Sequence, residues 1–380
     1  MINKYVQILH SLLFIVTITG VGLWSVISKP IEFKQAHLVQ LLNGEYARTL
    51  EEDYDDKLII KELGVNLWAA VEYTLFNEGK AGLVVGKDGW LFTSEEFSVT
   101  ENSEQALRKN IELIKWVNKE FTKQNITLLV VPVPAKARVY SDKVISAEPD
   151  TVHQKSYDSL LTVKHSAVHV ADSLMAMQHD KAQAEQFLRT DTHWTPAGAS
   201  VVAAETARYI KKYTGLNFSN KTYITELTEQ RALSGDLLNY LPLSPWFDVL
   251  LPETDQLAVY ETIADAEGGL DDLFGDTSES VALVGTSYSA NPNWNFVGAL
   301  KQALSTDIIN YAQEGHGPIE PMMNFLEKYK TEMPDLELVI WEIPERYLSV
   351  SYQAAYAQRA KRQLDSSLIA KESTQKIWSM

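Results

Sequence analysis

Residues 126–133 are almost uninterruptedly apolar, and the runs at 280–285 and 336–342 are of the same kind. A strand carries apolar side chains on both faces where helices cover both, which is the situation of a parallel sheet. Between these runs the spacing turns helical, predicting helices over 101–124, 153–163, 174–188, 196–213, 294–304 and 318–330, with short strands at 167–170 and 307–311. On 101–124 the inward residues would be Leu107, Ile111, Ile114, Val117 and Phe121. Thr195 as N-cap and Pro196 at N1 mark where the helix at 196–213 starts. Alternating buried strands and helices predict an α/β fold, a doubly wound sheet between two helical layers.

Ahead of this sheet, Leu83-Val84-Val85 running into Gly86-Lys87-Asp88-Gly89-Trp90-Leu91-Phe92 predicts two strands joined by an Asp-Gly turn. Residues 31–77 read as helical, with Ile60, Leu63, Leu67, Val71 and Leu75 on one face expected to pack on the main domain. From Tyr5 to Ser28 there are 24 residues without a formal charge, a helix of about 36 Å and so long enough to cross a bilayer. The run exceeds the roughly 7–15 residues of a signal-peptide core, which predicts an uncleaved anchor. The alternative is a signal peptide cut after Val26 and Ser28; either way the remainder is exported. The expected divisions are an anchor at 1–30, a helical stem at 31–80, a main domain at 81–347 and a helical tail at 348–380.

Without cysteine among its 380 residues, the chain has no thiolate nucleophile, zinc-thiolate site or disulfide. Its net charge of −16 argues against nucleic acid as a partner. The acid is uneven: eleven Asp and Glu and no Lys or Arg lie between Arg231 and Lys301. This marks 216–279 as an insertion, expected to be acidic and solvated. A calcium site within 265–276 would lack EF-hand spacing.

The chemistry centres on Ser287, which follows the apolar run at its Gly285-Thr286 end, and on Asp191-Thr192-His193 some ninety residues earlier. A strand running out into Gly-Thr-Ser before a helix presents a hydroxyl at the carboxyl edge of a sheet, where ligands of open α/β folds bind. A His oriented by an Asp turns such a hydroxyl into a nucleophile. Each segment alone also reads as a capped turn, and Asp191 with His193 as a metal-ligand pair. The other histidines show no matching ligand spacing, so no metal is expected. Lys136 and Arg138, just beyond residues 126–133, are candidate cationic contacts to a substrate, with a structural ion pair as the alternative. Trp194 is a candidate sugar-stacking ring or a wall of the site. Glu342 and Arg346 are expected to pair with each other.

Five segments together resemble the alginate O-acetyltransferase family with an SGNH-hydrolase-like domain: Asp-x-His-Trp-x-Pro-x-Gly at 191–198, Gly-Thr-Ser-Tyr-Ser at 285–289, residues 86–92, Pro132-Val-Pro-Ala-Lys136 with Tyr140, and Trp341-Glu-Ile-Pro-Glu-Arg346. The anchor and length are similar to the membrane-bound branch of that family. The resemblance implies a three-layer SGNH-like domain, an O-acetyltransferase acting on alginate or a similar exopolysaccharide, and Asp191, His193 and Ser287 as its triad. It also implies an acetyl-Ser intermediate, no cofactor, and a membrane-bound O-acyltransferase partner as acetyl donor. The expected location is the inner membrane, with the catalytic domain in the periplasm. Substrate contacts are expected from Lys136, Arg138, Tyr140, Trp194, Tyr288, Asn291 and Arg346. The oxyanion Asn common in SGNH enzymes has no identifiable counterpart; Asn291 and Asn293 are near enough to be candidates, and read first as surface turn residues. Two other readings stay open, a carbohydrate esterase with the same triad and a non-catalytic polysaccharide-binding subunit. The acid of 232–300 sits awkwardly with a polyanionic acceptor, since like charge slows encounter.

Overall fold

The uncharged amino-terminal run forms one continuous helix, α1 (Lys4–Ser28). The computed structural model describes residues 4–28, 37–57, 59–145, 151–218, 221–265, 280–332 and 336–360. Over Lys4–Trp24 this helix is long and apolar enough to cross a membrane, and protein buries none of it. It belongs to a first unit, Met1–Lys80 with Leu241–Leu251. That unit also holds α2 (Leu38–Leu42), α3 (Glu45–Lys57) and α4 (Ile59–Val71). The stripe predicted to be buried on α4 and beyond is not the buried one. Leu67 is 52% exposed and Leu75 70%, whereas Asn66, Ala69 and Ala70 are buried. Small side chains let other backbone come close on that side, and the Asn66 amide donates to the Pro242 carbonyl at 2.6 Å.

The second unit, Ala81–Tyr240 with Pro252–Met380, opens on the predicted hairpin. β1 (Leu83–Val85) pairs antiparallel with β2 (Leu91–Thr93). Asp88 and Gly89 make the turn at φ 56° and 77°, the left-handed region that these two residue types tolerate. In chain order follow α5 (Ser103–Thr122), β3 (Thr127–Val133), α6 (Lys136–Val139), α7 (Thr151–Thr162), β4 (His169–Val170), α8 (Leu174–Asp180) and α9 (Pro196–Tyr213). Then come β5 (Tyr223–Leu233), β6 (Asp255–Ala264), β7 (Val281–Val284), α10 (Ser287–Ala290), α11 (Phe296–Leu304), β8 (Ile309–Asn310), α12 (Ile319–Glu332) and β9 (Leu338–Pro344).

Five of these strands form one sheet in the order β4-β3-β9-β7-β8, and every neighbouring pair is parallel. The apolar runs divide residue by residue between two cores, as the period of two requires. Leu129, Val131, Leu283 and Ile340 enter one core with Val202 of α9 and Leu300 of α11. Leu128, Val130, Val284 and Trp341 enter the other with Val117 of α5 and Phe325 of α12. Helices therefore cover both faces, giving the three-layer α/β architecture expected from the sequence. β3, β7 and β9 all point their carboxyl ends to one rim.

Two expectations fail here. The helix predicted over 174–188 stops at Asp180, because the chain beyond it turns to bring Phe187 opposite Trp194 in an antiparallel bridge. The insertion, over its described residues 216–218 and 221–265, is a folded element and not only a solvated tract. β5 and β6 make a long antiparallel ribbon with a bulge between Leu227 and Glu229, and Leu257 is buried in the first core. Most β5 side chains are exposed, so the apolar period that identifies a strand is weak there. The proposed calcium stretch at 266–276 and the tail beyond 360 lie outside the described residues. Of the tail, residues 353–360 are helical, and Asn110 of α5 holds the chain before them by donating to the carbonyls of Leu348 and Val350.

Candidate active site

Ser287 starts α10 directly beyond β7, with Thr286 as N-cap accepting the Tyr288 N–H. Asp191 and His193 lie in the loop before α9. That loop is tightly held: Leu188 N–H donates to the His193 carbonyl and Thr195 N–H to that of Gln186. Gly198 permits the closure, since a Cβ there would sit 2.1 Å from the Gln186 oxygen. Asp191 Oδ1 accepts the His193 N–H at 2.9 Å and Nδ1–H at 2.7 Å. His193 Nε2 stands 2.8 Å from Ser287 Oγ. With Nδ1 donating to the carboxylate, Nε2 is the free acceptor for the serine proton. The three residues form a continuous Asp–His–Ser relay.

Electrostatics hold Asp191 ionised. Burial alone would raise its pKa, but the hydrogen bond and charge of His193 and the Asp236 N–H outweigh it and lower the value. The Asp236 N–H reaches Asp191 Oδ2 at 3.0 Å. The Asp236 carboxylate in turn accepts from Thr192 N–H at 2.8 Å and Thr192 Oγ1 at 2.6 Å. Asp255, at the start of β6, takes the N–H groups of Arg189 and Thr190 at 2.7 and 2.9 Å. Two acids of the insertion are therefore turned inward as anchors for the Asp191–His193 loop. Asp191, His193 and Asp236 bring potential metal-ligand atoms within 4.8 Å of one another. Their oxygens and ring nitrogens are engaged in this relay and its supports.

Glu342, fully buried on β9, underlies the Ser287 turn. Its carboxylate accepts from Thr286 N–H at 2.7 Å, Thr286 Oγ1 at 3.0 Å and Ser289 Oγ at 3.0 Å. Only glycine fits above it, because a Cβ on Gly285 would lie 2.4 Å from Glu342 Oε2. Burial is the largest influence on Glu342 and raises it to about 7, against the hydrogen bonds from Thr286 and Ser289 and the charge of Arg346. Trp294 stacks on the His193 ring at 5.2 Å and 21°.

Several predicted substrate contacts occupy other places. Lys136 is buried, and its ammonium donates to the carbonyls of Leu91, Arg189 and Asp191 at 2.6, 2.9 and 2.9 Å. Burial lowers it to about 8, partly opposed by Glu96 and by Asp255, Asp191 and Asp236. It ties the β1–β2 hairpin to the Asp191–His193 loop and offers a substrate nothing. Arg138 is spent on Glu345, with Nε 2.9 Å from Oε2, which is the structural alternative. Tyr140 is buried and its hydroxyl accepts the Gln186 N–H at 2.8 Å. Trp194 is fully buried, edge-on to Tyr288 at 5.1 Å, and is core rather than sugar platform. Tyr288 is buried too, donating to the Thr192 carbonyl at 2.5 Å and accepting from Arg346 at 3.1 Å. Arg346 does not take Glu342 as partner; it lies 3.2 Å from Glu95. Asn291 caps the next turn, its Oδ1 accepting the Asn293 N–H at 3.0 Å.

A family model described as "SGNH hydrolase-like domain, acetyltransferase AlgX" matches residues 83–345. The chain belongs to this family. A protein of Azotobacter vinelandii named "Probable alginate O-acetylase AlgJ" is 42% identical over 353 residues, 92% of this chain and 91% of that one. One of the same name from Pseudomonas aeruginosa is 44% identical over 341 residues, 87% of each chain. The solved O-acetyltransferase domain of Pseudomonas putida AlgJ superposes with a TM-score of 0.67 at 38% identity, covering 74% of this chain and 99% of that domain. Pseudomonas aeruginosa AlgX shares the fold, with a TM-score of 0.56 at 22% identity over 72% of this chain and 65% of that one.

Spacing along the chain did not single out Glu342, Asp236, Asp255 or Trp294 as members of this site. The one available signal was the Glu that closes the apolar run of 336–342, which the sequence pairs with Arg346 instead. Its role is open to test. Between the ordinary carboxyl range and about 7 the folded chain holds a proton on Glu342 that the unfolded chain has released. The residue therefore weakens the fold as pH rises through that window. Glu342→Gln is expected to keep an acceptor oxygen for the turn and to flatten this part of the stability–pH curve. Glu342→Leu leaves buried donors unmet and is expected to lose about 2 kcal/mol or more, with Ser287 at least tenfold slower toward an activated ester. Urea unfolding at about pH 5 and 8, beside ester kinetics, measures both; equal behaviour of the two variants would remove Glu342 from the account.

Proposed function

We propose that this chain is an O-acetyltransferase that acetylates hydroxyls of an exported polysaccharide, alginate by the names of its relatives, through an acetyl-Ser287 intermediate. The observation that carries the catalytic part is the 2.8 Å approach of His193 Nε2 to Ser287 Oγ, with Asp191 behind the ring at 2.7 Å. Ser287 Oγ attacks the acetyl carbonyl while His193 takes its proton; His193 then protonates the departing group, leaving the serine ester. A sugar hydroxyl gives its proton to His193 and attacks that ester, and Ser287 recovers the proton as the tetrahedral adduct collapses. Thr286 and Tyr288 spend their N–H groups on Glu342 and on the Thr286 hydroxyl. In this reading the Ser287 N–H is the turn's donor to the oxyanion. Asp191 fixes the tautomer, and Trp294 covers one face of the imidazole.

The acetyl donor is assigned to a membrane-bound O-acyltransferase partner, because acetyl-CoA is confined to the cytoplasm. α1 as an uncleaved anchor would keep the catalytic unit in the periplasm at the inner membrane, close to such a donor. Carbonate-washed membranes are expected to retain the chain at full length; a mature protein beginning at Lys29 would replace the anchor with a signal peptide.

The central step is tested by partition of the acyl-enzyme. Intact mass should show one acetyl group on the wild type after exposure to p-nitrophenyl acetate, and none on Ser287→Ala. His193→Ala should slow labelling on the order of 10³-fold or more. Added alginate oligosaccharide should speed turnover and yield O-acetyl sugar. Rapid turnover in water with no transfer would instead make the chain an esterase.

A further inference from the structure

The cations that β3, α6 and β9 bring to the active rim are spent. Lys136 is sunk among carbonyls, Arg138 is bound to Glu345, and Arg346 is buried beside Tyr288 with Glu95. Arg189 keeps 27% of its side chain exposed but lies 3.8 Å from the Asp255 carboxylate. Arg231 differs. It stands opposite Leu257 in the ribbon register. Opposite residues of an antiparallel pair share a face, and Leu257 is buried in the core. Arg231 thus leaves the inner face of the ribbon, and its Nη2 donates to Asn293 Oδ1 at 2.8 Å. Asn293 is two residues beyond Asn291, whose N–H is bonded to the Ser287 carbonyl at 3.2 Å. It immediately precedes Trp294, the residue stacked on His193. The guanidinium is therefore held at the segment that leaves the nucleophile, by a neutral partner that does not cancel its charge.

Arg231 is still 42% exposed, and its nearest acid among the described residues, Glu229, is 3.8 Å away and 56% exposed. A solvated pair at that distance contributes little and yields to an incoming carboxylate able to take two parallel N–H bonds. Meanwhile Asp236 and Asp255, two other acids of the insertion, point inward onto the Asp191–His193 loop.

We infer that Arg231 is the specificity-determining residue for a carboxylate-bearing acceptor, gripping the acid group of a uronate unit while a hydroxyl of the chain reaches acetyl-Ser287. This rests on the transferase reading above and adds the residue that reads the acceptor's acid group. The neutral Asn293 orients the guanidinium, and the ribbon supplies it.

The test uses the detergent-solubilised full chain, with an alginate oligosaccharide and its carboxyl-reduced counterpart as probes. Titration calorimetry should show wild type binding the acidic oligosaccharide more tightly than the reduced one, by roughly 10- to 100-fold, the range for a charge-assisted hydrogen bond. Arg231→Gln, checked for a wild-type melting curve, should erase that preference, and Arg231→Lys should restore part of it at low salt. In transfer assays KM should rise for Arg231→Gln with much less change in kcat. If Arg231→Gln keeps the preference, or wild type shows none, the inference is wrong. Arg231-dependent binding without any transfer would leave the inference standing and overturn the transferase reading instead.

Discussion

Both oxygens of the Asp191 carboxylate are committed, Oδ1 to the backbone and ring of His193 and Oδ2 to the Asp236 N–H. That double grip fixes the imidazole relative to Ser287, and the surrounding structure supplies the conditions for it. The carboxylate is buried, where an ionised group is costly unless its oxygens are matched by donors. The donors come from chain that is remote in sequence. Gly235 brings the Asp236 segment against Thr190 so closely that a Cβ would lie 2.1 Å from the Thr190 oxygen. Lys136 pulls the carbonyls of Arg189 and Asp191 from the other side. The catalytic loop has little secondary structure of its own and is held as a rigid element by these crossings.

Ser287 is held by a different device. β7 and β9 lie side by side with Val284 opposite Trp341, so the next residue of β9, Glu342, reaches the turn that follows β7. A carboxylate beneath three donors from two residues of one turn leaves that turn little freedom to rotate Ser287 away from His193. Acid and base partners thus arrive from separate parts of the fold, each pre-set before substrate binds. This is the form of preorganisation that acyl transfer rewards most.

Much of this was legible in the sequence, for physical reasons. Doubly covered strands must be apolar throughout, so β3, β7 and β9 could be read directly, and the shorter β4 and β8 followed from the alternation with helices. Thr195-Pro196 located the start of α9 because capping chemistry is local, and Asp88-Gly89 located the hairpin turn by its backbone demand. The proximity of Ser287 to His193 followed from both lying on the carboxyl rim. What stayed hidden depends on contacts between distant segments. The ribbon has one largely exposed strand, so its alternation is blurred and its acids read as solvated. Asp236 and Asp255 are indistinguishable in sequence from Asp248, although they anchor the loop. Lys136 and Arg138 are two residues apart, yet one is buried among carbonyls and the other is paired at the edge. Trp194 looked like a stacking ring because it adjoins His193, but successive side chains on a strand-like segment face opposite ways, so it points into the core.

The site rests on a relay in which Asp191 keeps the proton on His193 Nδ1 and leaves Nε2 to accept from Ser287. Nitrogen-15 NMR of the full chain with labelled histidine reads this directly, since protonated and bare ring nitrogens have well-separated shifts. The 2.7 Å contact with Asp191 predicts a proton on His193 Nδ1, and Asp191→Asn is expected to disturb that placement without unfolding the chain. A wild-type His193 carrying its proton on Nε2, with Nδ1 bare beside Asp191, would contradict it.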